Sequence, residues 1–248
     1  MTDPYRDSAA RHDELNAGLP TPTRLFARDF AERHGVESIC DFGCGTGVLM
    51  AELAADGRTV FGCDLSEAMC SVAQERLRPL GDITVANENM VTYRPPVQVD
   101  LATCLFDSIN YLLDTRDWFA LFGNVAKSLR PSGHFILDFV TEYDLRECWP
   151  AHRSVIERED WVLVRLSAFD VTRSVGVEHM IWHVFQEGQW KTLIEEHKHA
   201  ALAVQDVVRG LADVGLRTVE VVDADSNGVV EPDATTRIRI VARKENHA

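Results

Sequence analysis

The chain has 248 residues, 46% hydrophobic and 26% charged, a globular balance with ample length to bury a core. Its 39 Asp and Glu against 25 Lys and Arg give a formal net charge of −14, and no dense Lys/Arg run offers a polyanion a patch, which argues against nucleic acid and anionic membrane surfaces as partners. No apolar run approaches the ~18 residues of a membrane span, and the polar start MTDPYRDSAARHDE is not a signal peptide, so a cytoplasmic protein is expected.

After a polar stretch of about 20 residues holding one aromatic, Tyr5, the segment TRLFARDFAERHG carries a helical stripe (Leu25, Phe26, Phe30) closed by Gly35. VESICDF predicts a first strand, GVLMAELAADG a helix and RTVFGCD a second strand. SEAMCSVAQERLR predicts a helix with Ser66 as its N-cap. DITVAN, VDLATCLF and GHFILDFV are further strands, with the helix TRDWFALFGNVAKSLR between the last two. Strands alternating with helices of this length imply an α/β fold with a parallel sheet and right-handed crossovers.

Beyond about residue 150 the pattern changes. HRSVIERED, WVLVRLSAFDVT, SVGVEHMIWHVFQEG and QWKTLIEEHKHAAL alternate apolar and polar residues with period two, predicting an antiparallel β insertion over 151–200. VQDVVRGLADVG is then a helix closed by Gly215, and LRTVEVVDAD and TTRIRIVARK are two last strands. The core thus comprises 1–150, with an N-terminal helical segment, and 201–248. Trp161, Trp182 and Trp190, with Phe169 and Phe185, make the insertion a candidate aromatic lid over a substrate, a homodimer surface, or a sheet packed on its own core. The six cysteines (40, 44, 63, 70, 104 and 148) form no C-x-x-C pair and read as reduced thiols used as small hydrophobes, with no metal site expected.

The most informative stretch is DFGCGTG, Asp41 to Gly47, between a predicted strand and a predicted helix. Its glycines let the backbone turn sharply and approach a ligand, and the helix start behind them offers free N–H groups. A dinucleotide enzyme would want G-x-G-x-x-G, with its third glycine where this chain has Val48, and the lysine of a phosphate-binding P-loop is missing. About 20 residues on, Asp64 ends the second strand, where a carboxylate can accept both ribose hydroxyls of a nucleoside.

With these motifs the chain resembles the class I S-adenosylmethionine-dependent methyltransferases. DFGCGTG is similar to their first motif, CDLSEAM to their second, and NENM to their adenine-contacting stretch, though Asn89 stands where an aspartate is usual. VDLATCLFDSINYL, LRPSGHFILDF and TTRIRIVARK resemble the fourth-strand, fifth-strand and closing-strand motifs, so the likeness covers roughly 20–145 and 200–244. It implies a Rossmann-like, mostly parallel seven-stranded sheet with helices on both faces, its last strand (235–243) inserted antiparallel. It also implies S-adenosylmethionine as cofactor, held by Asp41, Gly43, Cys44, Gly45, Asp64, Leu65, Met69, Asn89, Met90, Cys104 and Leu105, with Tyr5 closing over its methionine end. FDSINYL and the late insertion look like small-molecule N- or O-methyltransferases.

Methyl transfer from a sulfonium is an in-line displacement, in which alignment alone can account for ~7–11 kcal/mol, so the protein must chiefly present a lone pair. No Pro-Cys pair is present for attack on a pyrimidine ring, and Cys104-Leu105-Phe106-Asp107 replaces the Asn-Pro-Pro-Tyr of amino-nucleobase methylases. The acceptor is therefore expected near 104–111, with Asp107, Asn110 and Tyr111 as polar candidates and His183 as proton acceptor for a hydroxyl. His179 and His183, four apart on a strand and so about 13 Å from each other, cannot chelate one metal. They, like His197 and His199, read as cap-facing or surface residues. Methyl transfer to nitrogen of a small organic molecule is the leading expectation. The alternatives are transfer to oxygen, an NAD-dependent oxidoreductase, or a non-catalytic cofactor-binding protein.

Overall fold

The computed structural model describes residues 3–16 and 22–246. The expected α/β sheet is present, with seven strands in the order β10-β11-β5-β4-β1-β2-β3. These are β1 (Ser38–Phe42), β2 (Thr59–Asp64), β3 (Val85–Asn87), β4 (Val99–Cys104), β5 (Leu129–Val140), β10 (Leu216–Asp223) and β11 (Arg237–Lys244). Strands β1 to β5 pair in parallel, and β11 runs antiparallel between β5 and β10. The order reverses between β1 and β4, which opens a crevice at the carboxyl ends of these strands.

Both sheet faces are covered. On one lie α2 (Pro22–Arg33), α3 (Val48–Ala55) and α4 (Glu67–Leu77), whose Ala27, Phe30, Leu53 and Leu77 pack on Ile39, Leu101, Ile136 and Val241. On the other, α5 (Thr115–Ser128) and α6 (Val204–Asp213) set Trp118, Phe122 and Leu211 against Phe42, Cys104, Phe135 and Ile240. Alternate residues of one strand thus feed two cores, which is why these strands read as nearly continuous apolar runs. Helix α4 starts where expected, the Ser66 hydroxyl accepting from the Met69 amide. None of the cysteines is in a disulfide.

Several strand boundaries differ from expectation: β4 ends at Cys104, β10 at Asp223, and β11 begins at Arg237 rather than 235. β3 is only three residues long, because Asp82–Thr84 are not paired. β5 begins at Leu129, four residues early, and its register against β4 jumps from Val99↔Leu129 to Leu101↔His134. Ser132, at φ +63°, and Gly133 take up that jump.

The insertion folds as one antiparallel four-stranded sheet, β6 (Arg153–Glu157), β7 (Trp161–Asp170), β8 (Val175–Gln186) and β9 (Gln189–Ala200), in chain order. Glu187 and Gly188, both at positive φ, make the two-residue β8–β9 turn, a backbone that suits hairpin twist. Trp161, Leu163, Met180, Trp182 and Val184 form a small core on its inner face, completed by Leu15 of the N-terminal helix α1 (His12–Asn16). No helix among the described residues is long and apolar enough to cross a membrane.

Candidate active site

The glycine loop lies between β1 and α3 at the open ends of β1 and β2. Gly43, Gly45 and Gly47 all have positive φ. The Gly43 and Cys44 amides both donate to the Cys63 carbonyl at 2.9 Å, which ties the loop to β2. A Cβ on Gly43 would stand 2.8 Å from Ser108 Cβ, and one on Gly47 2.9 Å from Ala73 Cβ, so packing demands these two glycines. A Cβ on Gly45 would meet nothing within 4 Å, so that side of its backbone borders open space.

Asp64 is aimed by two amides, Gly45 N on Oδ2 at 2.8 Å and Ser66 N on Oδ1 at 2.9 Å. A carboxylate has about four lone-pair sites, so two remain for a ligand's hydroxyls. Burial raises its pKa, against those two amide bonds. Asp41, buried beneath the loop, is pushed up to about 6 by burial, against a 2.6 Å hydrogen bond from the Thr103 hydroxyl. Leu65 is 56% exposed beside Asp64, an apolar side chain left free to cover a ring. Asn89 is exposed, one lone pair of its Oδ1 engaged by the Val91 amide at 2.9 Å, and Met90 is half-buried near it. Cys44, Met69, Cys104 and Leu105 are buried in the cores, so a ligand in the crevice would meet these four through main chain. The donor set and the space at Gly45 fit a nucleoside with a free ribose diol.

The turn beyond β4 is strained, Phe106 and Asp107 both having φ above +50°, a conformation non-glycine residues seldom adopt in succession. It turns the Asp107 carboxylate onto Arg237 of β11, at 2.6 Å, while its other oxygen stands 3.6 Å from His199 Nε2. Arg237 also reaches Asp138 at 3.4 Å. The Tyr111 hydroxyl is bonded to Tyr5 at 2.5 Å and to His197 Nδ1 at 2.8 Å. Burial raises the pKa of both tyrosines and keeps them neutral.

The N-terminal segment lies across this site. The amides of Asp7 and Ser8 donate to Glu195 Oε1 at 3.3 and 3.0 Å, and the Ser66 hydroxyl donates to Asp3 at 2.9 Å. The Thr46 hydroxyl donates to Asp13 at 2.6 Å, and Arg76 pairs with the same carboxylate. Tyr5 is therefore held over the carboxyl end of the sheet rather than on a frayed terminus.

Tyr5, Asp107 and Tyr111 are thus brought together; His183 is not. It stands on the outer face of β8, bonded to Thr192 at 3.0 Å, because position 183 has the opposite parity to the inward-facing Trp182. Asn110 is fully buried and structural: its Nδ2 donates to the Val140 and Ala200 carbonyls and its Oδ1 accepts from the Val140 amide. Trp161 and Trp182 pack on each other at 5.3 Å in the small core, and Phe185 and Trp190 pair on the outer face, so they form no lid over the site. The aromatic ring beside the site is Trp149 instead, 4.9 Å from His199. His197 and His199, expected at a cap or surface, are buried inward-facing residues of β9, with Glu195 on the same face. Their period-two spacing put them on one face; only pairing with β8 told which way it turned.

The fold is that of the class I S-adenosylmethionine-dependent methyltransferases. A family model described as a methyltransferase domain matches residues 39–133. A Geobacillus sp. chain assigned only as a methyltransferase is 25% identical over 216 residues, 86% of each chain. Among solved structures, an S-adenosylmethionine-dependent methyltransferase from Clostridium acetobutylicum has a TM-score of 0.85 at 24% identity, over 98% of this chain and 99% of that one. The sugar N-methyltransferase KedS8 from Streptoalloteichus sp. has a TM-score of 0.73 at 21% identity, over 95% and 93%. The chain is similar to these proteins; it is an enzyme of methyl transfer and uses S-adenosylmethionine. The NAD-dependent and non-catalytic alternatives are set aside.

Proposed function

We propose that the protein methylates nitrogen of a small-molecule amine. The observation that carries this reading is the character of the methyl side. Asp41, Asp107 and Asp138 gather at the carboxyl ends of β1, β4 and β5 with Arg237 as the basic partner of the last two, and aromatic rings of Tyr5, Tyr111 and Trp149 stand around Asp107 and His199. Carboxylates and aromatic faces suit a cationic amine and repel an anionic acceptor. Similarity to a sugar N-methyltransferase points the same way.

S-adenosylmethionine supplies, when bound, a methyl group already activated on a sulfonium. Asp64 would take the ribose hydroxyls, the bare backbone at Gly45 would border the methionine portion, and Leu65, Asn89 and Met90 would meet the adenine. Tyr5 and Tyr111, locked to His197, close the site to water, and Asp107 orients the amine. The β9 end of the insertion's inner face, at His197 and His199, borders the acceptor.

The test has two arms. Asp64→Ala removes up to two charge-assisted bonds of ~1.5–3 kcal/mol each, so the Kd for S-adenosylhomocysteine in calorimetry should rise at least about tenfold. An unchanged Kd sinks the placement of the cofactor. In the other arm, benzylamine, N-methylbenzylamine and glucosamine are offered beside benzyl alcohol and phenol. Methylation of the hydroxyl compounds alone refutes the nitrogen reading.

A further inference from the structure

Resting on the nitrogen reading, we propose that His199 takes the proton from the acceptor's ammonium, in a box made with Asp107, Tyr111 and Trp149. The acceptor class this box admits is a protonated primary or secondary amine with no negative charge near the nitrogen.

His199 is 7% exposed, yet neither of its ring nitrogens has a hydrogen-bond partner. A buried imidazole with both nitrogens unmet is costly, and such a group in a native protein calls for an explanation, such as a bound water, ion or ligand or a catalytic role. Asp107 Oδ2, at 3.6 Å from Nε2, is too far for a hydrogen bond and close enough to become an ion pair. The other walls are aromatic, with Tyr111 edge-on at 4.4 Å and Trp149 at 4.9 Å between ring centroids. Trp149 fits there because position 176, opposite His199 on β8, is glycine; a Cβ would stand 3.0 Å from Trp149 Cε3. Two aromatic rings and a carboxylate are groups that hold an ammonium.

The charged and titratable groups facing His199 are Asp107 and Tyr111 from the turn after β4, Glu178 of β8, His197 of β9 and Arg237 of β11. Burial outweighs the nearby carboxylates and holds the imidazole neutral, pushed down to about 4, so it offers a lone pair throughout the neutral range. Desolvation disfavours an ammonium in the box as it disfavours the imidazolium, and passing the proton from one to the other leaves the net charge of the box unchanged.

The transfer balances simply. The N–H bond of the ammonium breaks and its proton passes to a His199 nitrogen, so the positive charge moves to the imidazolium beside Asp107. The electron pair left on the amine forms the new N–C bond, and the pair of the broken C–S bond returns to sulfur.

His199→Gln, which keeps a polar side chain but cannot carry the proton, tests this with benzylamine as probe. At about pH 7 its kcat should fall on the order of 10²-fold. The gap should close as the pH approaches the amine's own pKa, with KM for S-adenosylmethionine unchanged and activity partly restored by added imidazole. An equal loss at every pH without rescue would mean a merely structural role, and rates equal to wild type would remove the role altogether. As a readout apart from turnover, benzylamine added to the S-adenosylhomocysteine complex should shift the His199 imidazole signals in NMR; unmoved signals overturn the box. If the Gln variant does not fold, His199→Asn carries the same comparison. Failure of the nitrogen reading is separately visible, since the wild-type enzyme would then methylate the alcohol or phenol and not the amines.

Discussion

Burial shifts His199 and Asp41 toward their neutral forms, and the two give acid stability opposite signs. For His199 the native pKa of about 4 lies below the ordinary 6.5. Between those values the unfolded chain binds more protons, so stability is lost as pH falls, up to about 3 kcal/mol in full. For Asp41 the native value of about 6 lies above 3.8, so the folded form binds more protons and gains stability as pH falls through 6. A wild-type curve mixes the two, but His199→Gln removes only the first. Urea unfolding should therefore show the variant gaining on wild type, by about 1–3 kcal/mol, as pH is lowered from about 7 to about 4.5. A difference flat in pH would mean that His199 is not buried neutral. Asp64 could be placed from sequence because strand, glycine loop and acid follow one another locally. His199 could not, because its partners Asp107, Tyr111 and Trp149 come from other parts of the chain.

At the scale of elements, most of the fold could be read from periodicity. β9 shows where that reading stops. Glu195, His197 and His199 alternate with Ile194, Glu196 and Lys198, and both faces of the sheet carry apolar residues: Trp161, Leu163 and Trp182 inward, Val155, Leu166 and Ile194 outward. Period two then tells which residues share a face and leaves open which face meets the core. The connection that fixes the orientation runs through Asn110, whose three buried hydrogen bonds join the ends of β5 and β9. Asn110→Ala leaves one amide and two carbonyl groups without that partner, and should cost about 3 kcal/mol or more in denaturant unfolding. A loss below about 1 kcal/mol would show that the sheets are held by other contacts. The Tyr5–Tyr111 bond is a weaker tie between elements. A double-mutant cycle of Tyr5→Phe and Tyr111→Phe should return a coupling of roughly 0.5–1.5 kcal/mol, and additive effects would mean that the N-terminal segment is not held there.

For the whole molecule, the net charge of −14 gains a local meaning. Asp41, Asp64 and Asp107 place part of that excess at the crevice, where the surrounding low-dielectric core weakens screening. S-adenosylmethionine carries one more positive charge than S-adenosylhomocysteine, and the two differ in little else. The field should therefore favour the substrate over the product by a margin that salt erodes, which also helps the spent cofactor to leave. Raising the salt from about 0.02 to about 0.5 M shortens the Debye length from roughly 20 Å to about 4 Å. The Kd for S-adenosylmethionine should then rise several-fold more than that for S-adenosylhomocysteine. Calorimetry on one protein preparation with both ligands measures this without knowledge of the acceptor. Parallel salt dependences would mean that the acidic surface acts only on solubility, and that the crevice carboxylates contribute by hydrogen bonding alone.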